Sequence, residues 1–267
     1  MGVRVVVIGF GAVGRQLHDL VADGAAGEAE VVGFLVRDLA RYREIAARQK
    51  VPLVASVSDA LALHPDVVVE AAGHDAMRSV VPAFLAAGCD VIAISAGALA
   101  DPDLVDEIRA AAERGAARLR VPSGAIAGLD AISAAAVGRI ERVRHTVRKP
   151  PATLLPPDEA AAVVAAGEPR ELYEGTAREA AIRFPANVNV VAAVSLAGIG
   201  LDRTMVQVVA DPGVTRNTHQ VVVEGAFGRL EVTIANTPSE NPKTGVIVAQ
   251  SLARVLRAYG ETIVVGA

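Results

Sequence analysis

A chain of 267 residues with 52% hydrophobic and 21% charged side chains has the apolar content for one large packed domain or two modest ones, and none of the composition of a disordered segment. A formal net charge of −4 argues against nucleic acid or an anionic membrane as the main partner. Apolar runs break off before a membrane span's length, no signal-peptide pattern precedes the first strand, and the single cysteine, Cys89, cannot form an internal disulfide, so a cytoplasmic protein outside the membrane is expected.

The first element is Val5–Ile8, a β-branched run that reads as a strand buried on both faces of a parallel sheet. It ends in Gly9-Phe10-Gly11-Ala12-Val13-Gly14, and the amphipathic stretch Ala12–Ala22 follows as a helix. Strand, G-x-G-x-x-G and helix in that order form a dinucleotide-binding fingerprint. Gly9 permits the tight turn, Gly11 lets backbone approach a pyrophosphate, and Gly14 lets helix and strand pack closely. The helix start at Ala12 and Val13 offers free N–H groups to the phosphates.

Glu30–Val36 reads as the second strand. In NAD-specific sheets an acidic residue near the end of this strand binds the ribose 2′-hydroxyl. Here Val36 fills the last place, followed by Arg37 and Asp38. Arg37 can meet a 2′-phosphate or stand as a solvated loop arginine, so both NAD and NADP stay open. A helix over Leu39–Gln49, a short strand Val51–Val54 and a helix Asp59–Leu63 capped by Ser58 come next. Val67–Gly73 is a fourth buried strand, ending in Ala72 and Gly73 where a cofactor would cross the carboxyl edge. His74 beyond it reads as a substrate or cofactor contact or as a local hydrogen-bonding group. A helix over Ala76–Ala87, a fifth strand Asp90–Ser95 that brings Ser95 to the same edge, a helix Asp101–Gly115 with Pro102 in its first turn, and a sixth strand Leu119–Pro122 complete the alternation. The result is α/β: a Rossmann-type, doubly wound parallel sheet over residues 1–122.

The sixth strand runs into Ser123-Gly124-Ala125-Ile126-Ala127-Gly128-Leu129-Asp130, a second small-residue turn before a helix over Leu129–Val137. Its N–H groups suit a carboxylate or carboxamide; a plain domain hinge is compatible with that. From Arg139 the period changes to a long alternating strand ending at Lys149, then a proline-bracketed loop to Pro157. Helices are expected over Asp158–Ala166, Thr176–Arg183 (with a Thr176–Glu179 capping box) and Asn187–Leu196, and strands over Thr204–Ala210, His219–Glu224 and Arg229–Ala235. This predicts a second, α+β domain over 123–241 with a mainly antiparallel sheet, suited to substrate binding and dimerisation. A last helix, Pro242–Tyr259, and strand, Thr262–Val265, are expected to pack back on the first domain.

A nicotinamide enzyme needs a proton shuttle and groups that hold the substrate. Of the five histidines, His18, His64 and His145 have no chemical company in the sequence, whereas His219 sits in the polar run Asp211-Pro212-Gly213-Val214-Thr215-Arg216-Asn217-Thr218-His219. An imidazole titrates near neutrality and can take and return a proton. Asn187 and Asn189 lie at a helix start, as do Asn236 and Asn241, and capping explains one such amide better than four. Only three of the 26 basic residues are lysine, Lys50, Lys149 and Lys243. Lys243 is unfavourable for the dipole at a helix start. With Ser123 and Asn187, Lys149 and Lys243 are candidates, by position, to hold a substrate. No metal is expected.

The glycine fingerprint, Pro122–Asp130, Phe184-Pro185-Ala186-Asn187-Val188-Asn189, the Ala210–His219 loop and Asn241-Pro242-Lys243-Thr244 together resemble the L-aspartate dehydrogenase family, in order along the whole chain. That resemblance implies NAD(P)-dependent oxidative deamination of L-aspartate, a dicarboxylic amino acid, to iminoaspartate and then oxaloacetate and ammonia, with a possible outlet into NAD biosynthesis. It implies that His219 is the active-site histidine, that Ala125 and Asn189 contact the cofactor, and that the protein is a homodimer joined through the second domain's sheet. Arg37 departs from members with an acidic residue at the strand end. The alternatives are a related two-domain NAD(P)-dependent reductase acting on another amino or keto acid, and a non-catalytic dinucleotide sensor.

Overall fold

The computed structural model describes residues 2–184, 188–241 and 244–266. The chain divides into two units, residues 1–124 with 247–267, and residues 125–246.

In the first unit, near-continuous runs of valine and isoleucine form strands buried on both faces, as a sheet covered by helices on each side requires. β1 (Arg4–Ile8) leads into α1 (Ala12–Ala22), then β2 (Glu30–Leu35), α2 (Leu39–Gln49), the short β3 (Leu53–Val54), α3 (Val57–Leu61), β4 (Val67–Glu70), α4 (His74–Ser79), α5 (Val81–Ala86), β5 (Asp90–Ala93), a 3-10 turn (Ala96–Ala100), α6 (Pro102–Gly115) and β6 (Leu119–Arg120). All pairings are parallel, in the order β3-β2-β1-β4-β5-β6. The order reverses between β1 and β4, and in open α/β sheets ligands bind outside the strands' carboxyl ends at such a switch point. Val6, Val68, Val91, Met77, Phe84 and Ile108 are among the side chains that fill one core layer.

The second unit holds α7 (Leu129–Val137), β7 (Ile140–Lys149), α8 (Pro157–Ala166), β8 (Arg170–Thr176), α9 (Ala177–Arg183), α10 (Val188–Ala197), β9 (Met205–Ala210), β10 (Thr218–Gly225) and β11 (Gly228–Ala235). Its sheet runs β11-β10-β7-β9-β8 and is antiparallel except for the β7–β9 pair. One face is apolar: Val143 of β7 and Val221 and Val223 of β10 pack with Ile132 of α7 and Val194 of α10. α11 (Ile247–Ala258) belongs to the first unit and packs on α1.

Several local expectations are corrected. Ser56, not Ser58, caps α3, its Oγ accepting from the Asp59 amide at 3.1 Å. The helix expected over Ala76–Ala87 is two short helices parted at Val80, because Pro82 has no N–H for the ladder and its ring crowds the carbonyl four residues back. β8 adds an edge strand that its single buried side chain, Tyr173, barely announces in sequence. Thr262–Val265 forms no strand. Ile263 and Val265 are each 80% exposed, and a β-branched run without a sheet edge to pair with has no ladder to join. Pro242 and Lys243 lie outside the described residues, and the last helix begins at Ile247.

Candidate active site

In the first unit the fingerprint glycines fit a dinucleotide for separate physical reasons. Gly9 has φ 97°, and a Cβ there would stand 2.8 Å from the Ala72 methyl. A Cβ on Gly14 would collide with the Gly9 carbonyl, so only glycine lets α1 sit this close to β1. A Cβ on Gly11 would meet nothing within 4 Å, so its backbone faces open space. No side chain caps α1 at Gly11, which leaves the first N–H groups and the positive dipole end for a phosphate. Val13 itself is buried, so it and Ala12 can serve a phosphate through backbone N–H alone. A groove of about 310 Å³ adjoins this turn, lined by Gly9, Phe10, Gly11, Ala71 and Ala72 on one side and by Arg37, Asp38, Arg41 and Tyr42 on the other.

Asp38 does not occupy the place of a ribose-binding acid. Its carboxylate caps α2, accepting from the Arg41 amide at 3.0 Å. The Arg37 side chain is 92% exposed, 3.9 Å from an Asp75 that is almost as exposed. The Arg41 guanidinium stacks over the Tyr42 ring at 5.2 Å. Two cations therefore line the part of the groove next to β2.

Glu70, the last residue of β4, is a site residue that the sequence reading missed. It is fully buried and accepts from the Ala72 amide (2.7 Å), the Gly73 amide (2.8 Å), the Ser95 amide (3.1 Å) and the Ser95 hydroxyl (2.9 Å). Burial raises its pKa against the pull of all four bonds. The Gly73 amide and the Ser95 amide and hydroxyl, at the edge where a cofactor is expected to cross, are thus bound to this carboxylate. Ala72 still lines the groove, through its other atoms. The signal was there: a lone glutamate ending an all-valine strand is almost never buried without partners. The Ser123–Gly124 turn also differs from expectation, because the Gly124 amide donates to Ser251 Oγ on α11 at 3.1 Å rather than standing free for a carboxylate. Ser123 is half-buried beside it.

In the second unit, register builds the site. His219 of β10 lies opposite Val147 of β7, and Val221 opposite His145, so both imidazoles project from one face as diagonal neighbours. His145 Nε2 and His219 Nδ1 are 3.0 Å apart, and both residues are almost completely buried. His145 therefore has close chemical company, contrary to the sequence reading, in which two histidines 74 residues apart show no link. Their other ring nitrogens, His145 Nδ1 and His219 Nε2, are buried with no partner among the described residues. Burial, which penalises the charged form, lowers the His145 pKa to about 4. Burial also carries His219 well below the usual imidazole range, with smaller contributions from His145 and Lys149.

Lys149 continues the same face of β7, half-buried, and has no carboxylate partner among the described residues. Burial pulls its pKa down. At this end of the sheet the Asn236 amide donates to the Asn217 carbonyl at 2.9 Å, and Asn236 Nδ2 donates to the Ala125 carbonyl at 2.9 Å. The side-chain oxygens of Asn217 and Asn236 are likewise buried without partners among the described residues. Asn236 is thus no helix cap; it holds Ala125 in place. Asn189 is an exposed residue in the first turn of α10, and Asn187 lies outside the described residues, as does Lys243. A neutral imidazole with a free nitrogen beside an unpaired ammonium can accept a proton from one group of a ligand while a carboxylate of the same ligand sits on the cation.

Residues 130–259 match the family described as "Aspartate dehydrogenase, C-terminal", and residues 9–122 match "Homoserine dehydrogenase, NAD binding domain". The chain is 38% identical to an L-aspartate dehydrogenase of Methanosarcina acetivorans, covering 98% of this chain and 99% of that one. It is 39% identical to the L-aspartate dehydrogenase of Pseudomonas aeruginosa, covering 97% and 98%. Among solved structures, the aspartate dehydrogenase of Thermotoga maritima matches over 100% of both chains, with a TM-score of 0.77 and 27% identity. A homoserine dehydrogenase from Thiobacillus denitrificans, at 18% identity and a TM-score of 0.64 over 97% of this chain and 74% of that one, shares the fold.

Proposed function

The chain belongs to the aspartate dehydrogenase family, and from that premise we propose that it catalyses the reversible oxidative deamination of L-aspartate with NAD or NADP. The products are iminoaspartate and, after hydrolysis, oxaloacetate and ammonia. The observation that carries this reading is the pairing of a buried, neutral His219, whose Nε2 has no partner among the described residues, with a half-buried Lys149 on the same sheet face that has no carboxylate partner among them.

A bound nicotinamide would supply the acceptor for the hydride of the substrate Cα. An ammonium has no lone pair to form the C=N bond as that hydride leaves, so His219 Nε2 first accepts a proton from it. Lys149 receives one substrate carboxylate, which also relieves an ammonium that is costly to bury alone. Ser123, Asn187 and Lys243 are the candidates for the second carboxylate. The pyrophosphate is assigned to the turn Gly9, Gly11, Ala12, Val13 and Gly14, with Ala72, Gly73 and Ser95 shaping the sheet edge, and the nicotinamide end to Ala125 and Asn189. Arg37 is assigned to the adenosine 2′-position, where a cation admits a 2′-phosphate.

We read the unit of residues 1–124 and 247–267 as the dinucleotide-binding domain and that of residues 125–246 as the substrate and dimerisation domain. A homodimer through the face of the sheet opposite His219 is supported by the solvent-accessible ion pair Arg144–Glu174 and by Gln207 and Gln220 on that face. No described helix is long and apolar enough to cross a membrane, and we place the activity in the cytoplasm. The test is oxidation of NADH or NADPH with oxaloacetate and ammonia together. The reading requires turnover that depends on both, and fails if another keto acid is aminated while oxaloacetate is not, or if cofactor binds without any turnover.

A further inference from the structure

His145 needs a reason to exist. Its same-face neighbours on β7 are Val143 and Val147, both fully buried, and a third apolar side chain would fill the space without an unmatched ring nitrogen. What His145 supplies instead is one atom, Nε2, 3.0 Å from His219 Nδ1. Two neutral imidazoles joined nitrogen to nitrogen share a single proton, so the tautomer of one dictates that of the other. If His145 Nε2 donates, His219 must carry its own proton on Nε2 and cannot accept another there. If His219 Nδ1 donates, its Nε2 holds a lone pair. Each arrangement leaves one N–H and one lone pair unmatched among the described residues, so the resting pair is close to balanced and a donor arriving at His219 Nε2 selects the second.

We propose that His145 is the positioning residue for His219: it accepts the Nδ1–H bond, keeps the Nε2 lone pair turned to the substrate amine, and goes on accepting that bond when His219 becomes an imidazolium. This rests on the reading of His219 as the base. In the step itself one N–H bond of the substrate ammonium breaks and one forms at His219 Nε2. The electron pair left on nitrogen forms the C=N bond as the hydride departs, and the positive charge moves to the His219 ring. The imidazolium Nδ1–H then makes a charge-assisted bond to a neutral acceptor. His145 is neutral above about pH 4, so it does not repel that charge.

Few other charges act at this place. β7 contributes Lys149; β9 and α10 contain no ionisable side chain; α7 brings only Asp130, which is exposed in its first turn; and Arg229 and Glu231 of β11 lie on the opposite face by register. Among the described residues no carboxylate stands where one orients a catalytic histidine in other enzymes, and His145 takes that place.

Glutamine and asparagine separate the two explanations of His145, because a glutamine amide reaches the position of Nε2 and an asparagine amide stops near Nδ1. With folding checked by thermal unfolding, His145→Gln is expected to keep aspartate turnover within a few-fold of wild type. His145→Asn is expected to lose about 10- to 100-fold in kcat, as when the group orienting an active-site histidine is removed, with dinucleotide affinity unchanged. The acid limb of its kcat profile is expected at lower pH, since the imidazolium has lost its acceptor. Equal turnover of the two variants, or an asparagine loss with an unmoved acid limb, overturns the inference. Should the asparagine variant not fold, the glutamine variant decides: turnover within a few-fold supports the inference and a loss beyond tenfold overturns it. His219→Ala, measured alongside, keeps the two readings apart. If it turns over aspartate normally, the base assignment fails; if it is inactive while both His145 variants behave as wild type, only the inference fails.

Discussion

Glu70 at the end of β4 accepts both the backbone amide and the hydroxyl of Ser95, 25 residues later and just beyond the neighbouring strand β5. The same carboxylate holds the amides of Ala72 and Gly73. One buried side chain thereby fixes the two loops that leave the sheet beside the glycine turn, and Gly9 packs directly on Ala72. The first prediction follows from removing it. Glu70→Ala leaves four donors unmatched, and is expected to cost about 3 kcal/mol of stability and to weaken NADPH binding. Urea unfolding and a fluorescence titration measure the two effects.

The groove next to β2 carries Arg37 and Arg41, while Asp38 is occupied in capping α2. A charged hydrogen bond to a phosphate is worth about 1.5–3 kcal/mol. Arg37→Ala is therefore expected to lower kcat/KM with NADP by about tenfold or more and to leave that with NAD within about twofold. Steady-state assays with each cofactor check it, and an unchanged NADP:NAD ratio excludes a 2′-phosphate contact.

Lys149 is a half-buried ammonium without a carboxylate among the described residues. If it receives a substrate carboxylate, Lys149→Met should raise the KM for aspartate by about 10- to 100-fold, consistent with about 1.4–2.8 kcal/mol for a lost charge pair. Because methionine fills the apolar stem's space without the charge, thermal stability should hold or rise. An unchanged aspartate KM would remove Lys149 from the substrate site.

His145 titrates near 6.5 when exposed and at about 4 when buried in the fold. Between those values the unfolded chain binds more protons than the native one, so this residue's contribution to stability is full above about pH 6.5 and falls as pH drops towards 4. Glu70, whose pKa is raised, acts with the opposite sign above its ordinary value of 4.5. The clean comparison is thus between wild type and His145→Gln: unfolding midpoints from pH 7 to pH 4 should fall more steeply for the wild type.

Sequence periodicity carried most of the first unit, because buried parallel strands write themselves as unbroken β-branched runs and the G-x-G-x-x-G turn has one structural context. His219, Lys149 and Ala125 were singled out as candidates, the first from its polar loop, the second from the scarcity of lysine and the third from family resemblance, and their roles are those proposed above. What escaped was created by register and by long-range bonding. His145 meets His219 only because β7 and β10 pair antiparallel with Val147 opposite His219. Asn236 looked like a cap and instead grips Ala125, 111 residues away. The Gly124 amide looked available to a ligand and is bound within the protein, to Ser251. Thr262–Val265 had strand composition and no edge to join.

The central claim is that His219 is the base in deamination of L-aspartate, and the most direct test is steady-state turnover of aspartate by His219→Ala beside its NADPH dissociation constant. General-base removal predicts a fall in kcat of about 100-fold or more, with NADPH affinity within about twofold of wild type. Retained turnover, or an equal loss of turnover and NADPH affinity, would contradict it.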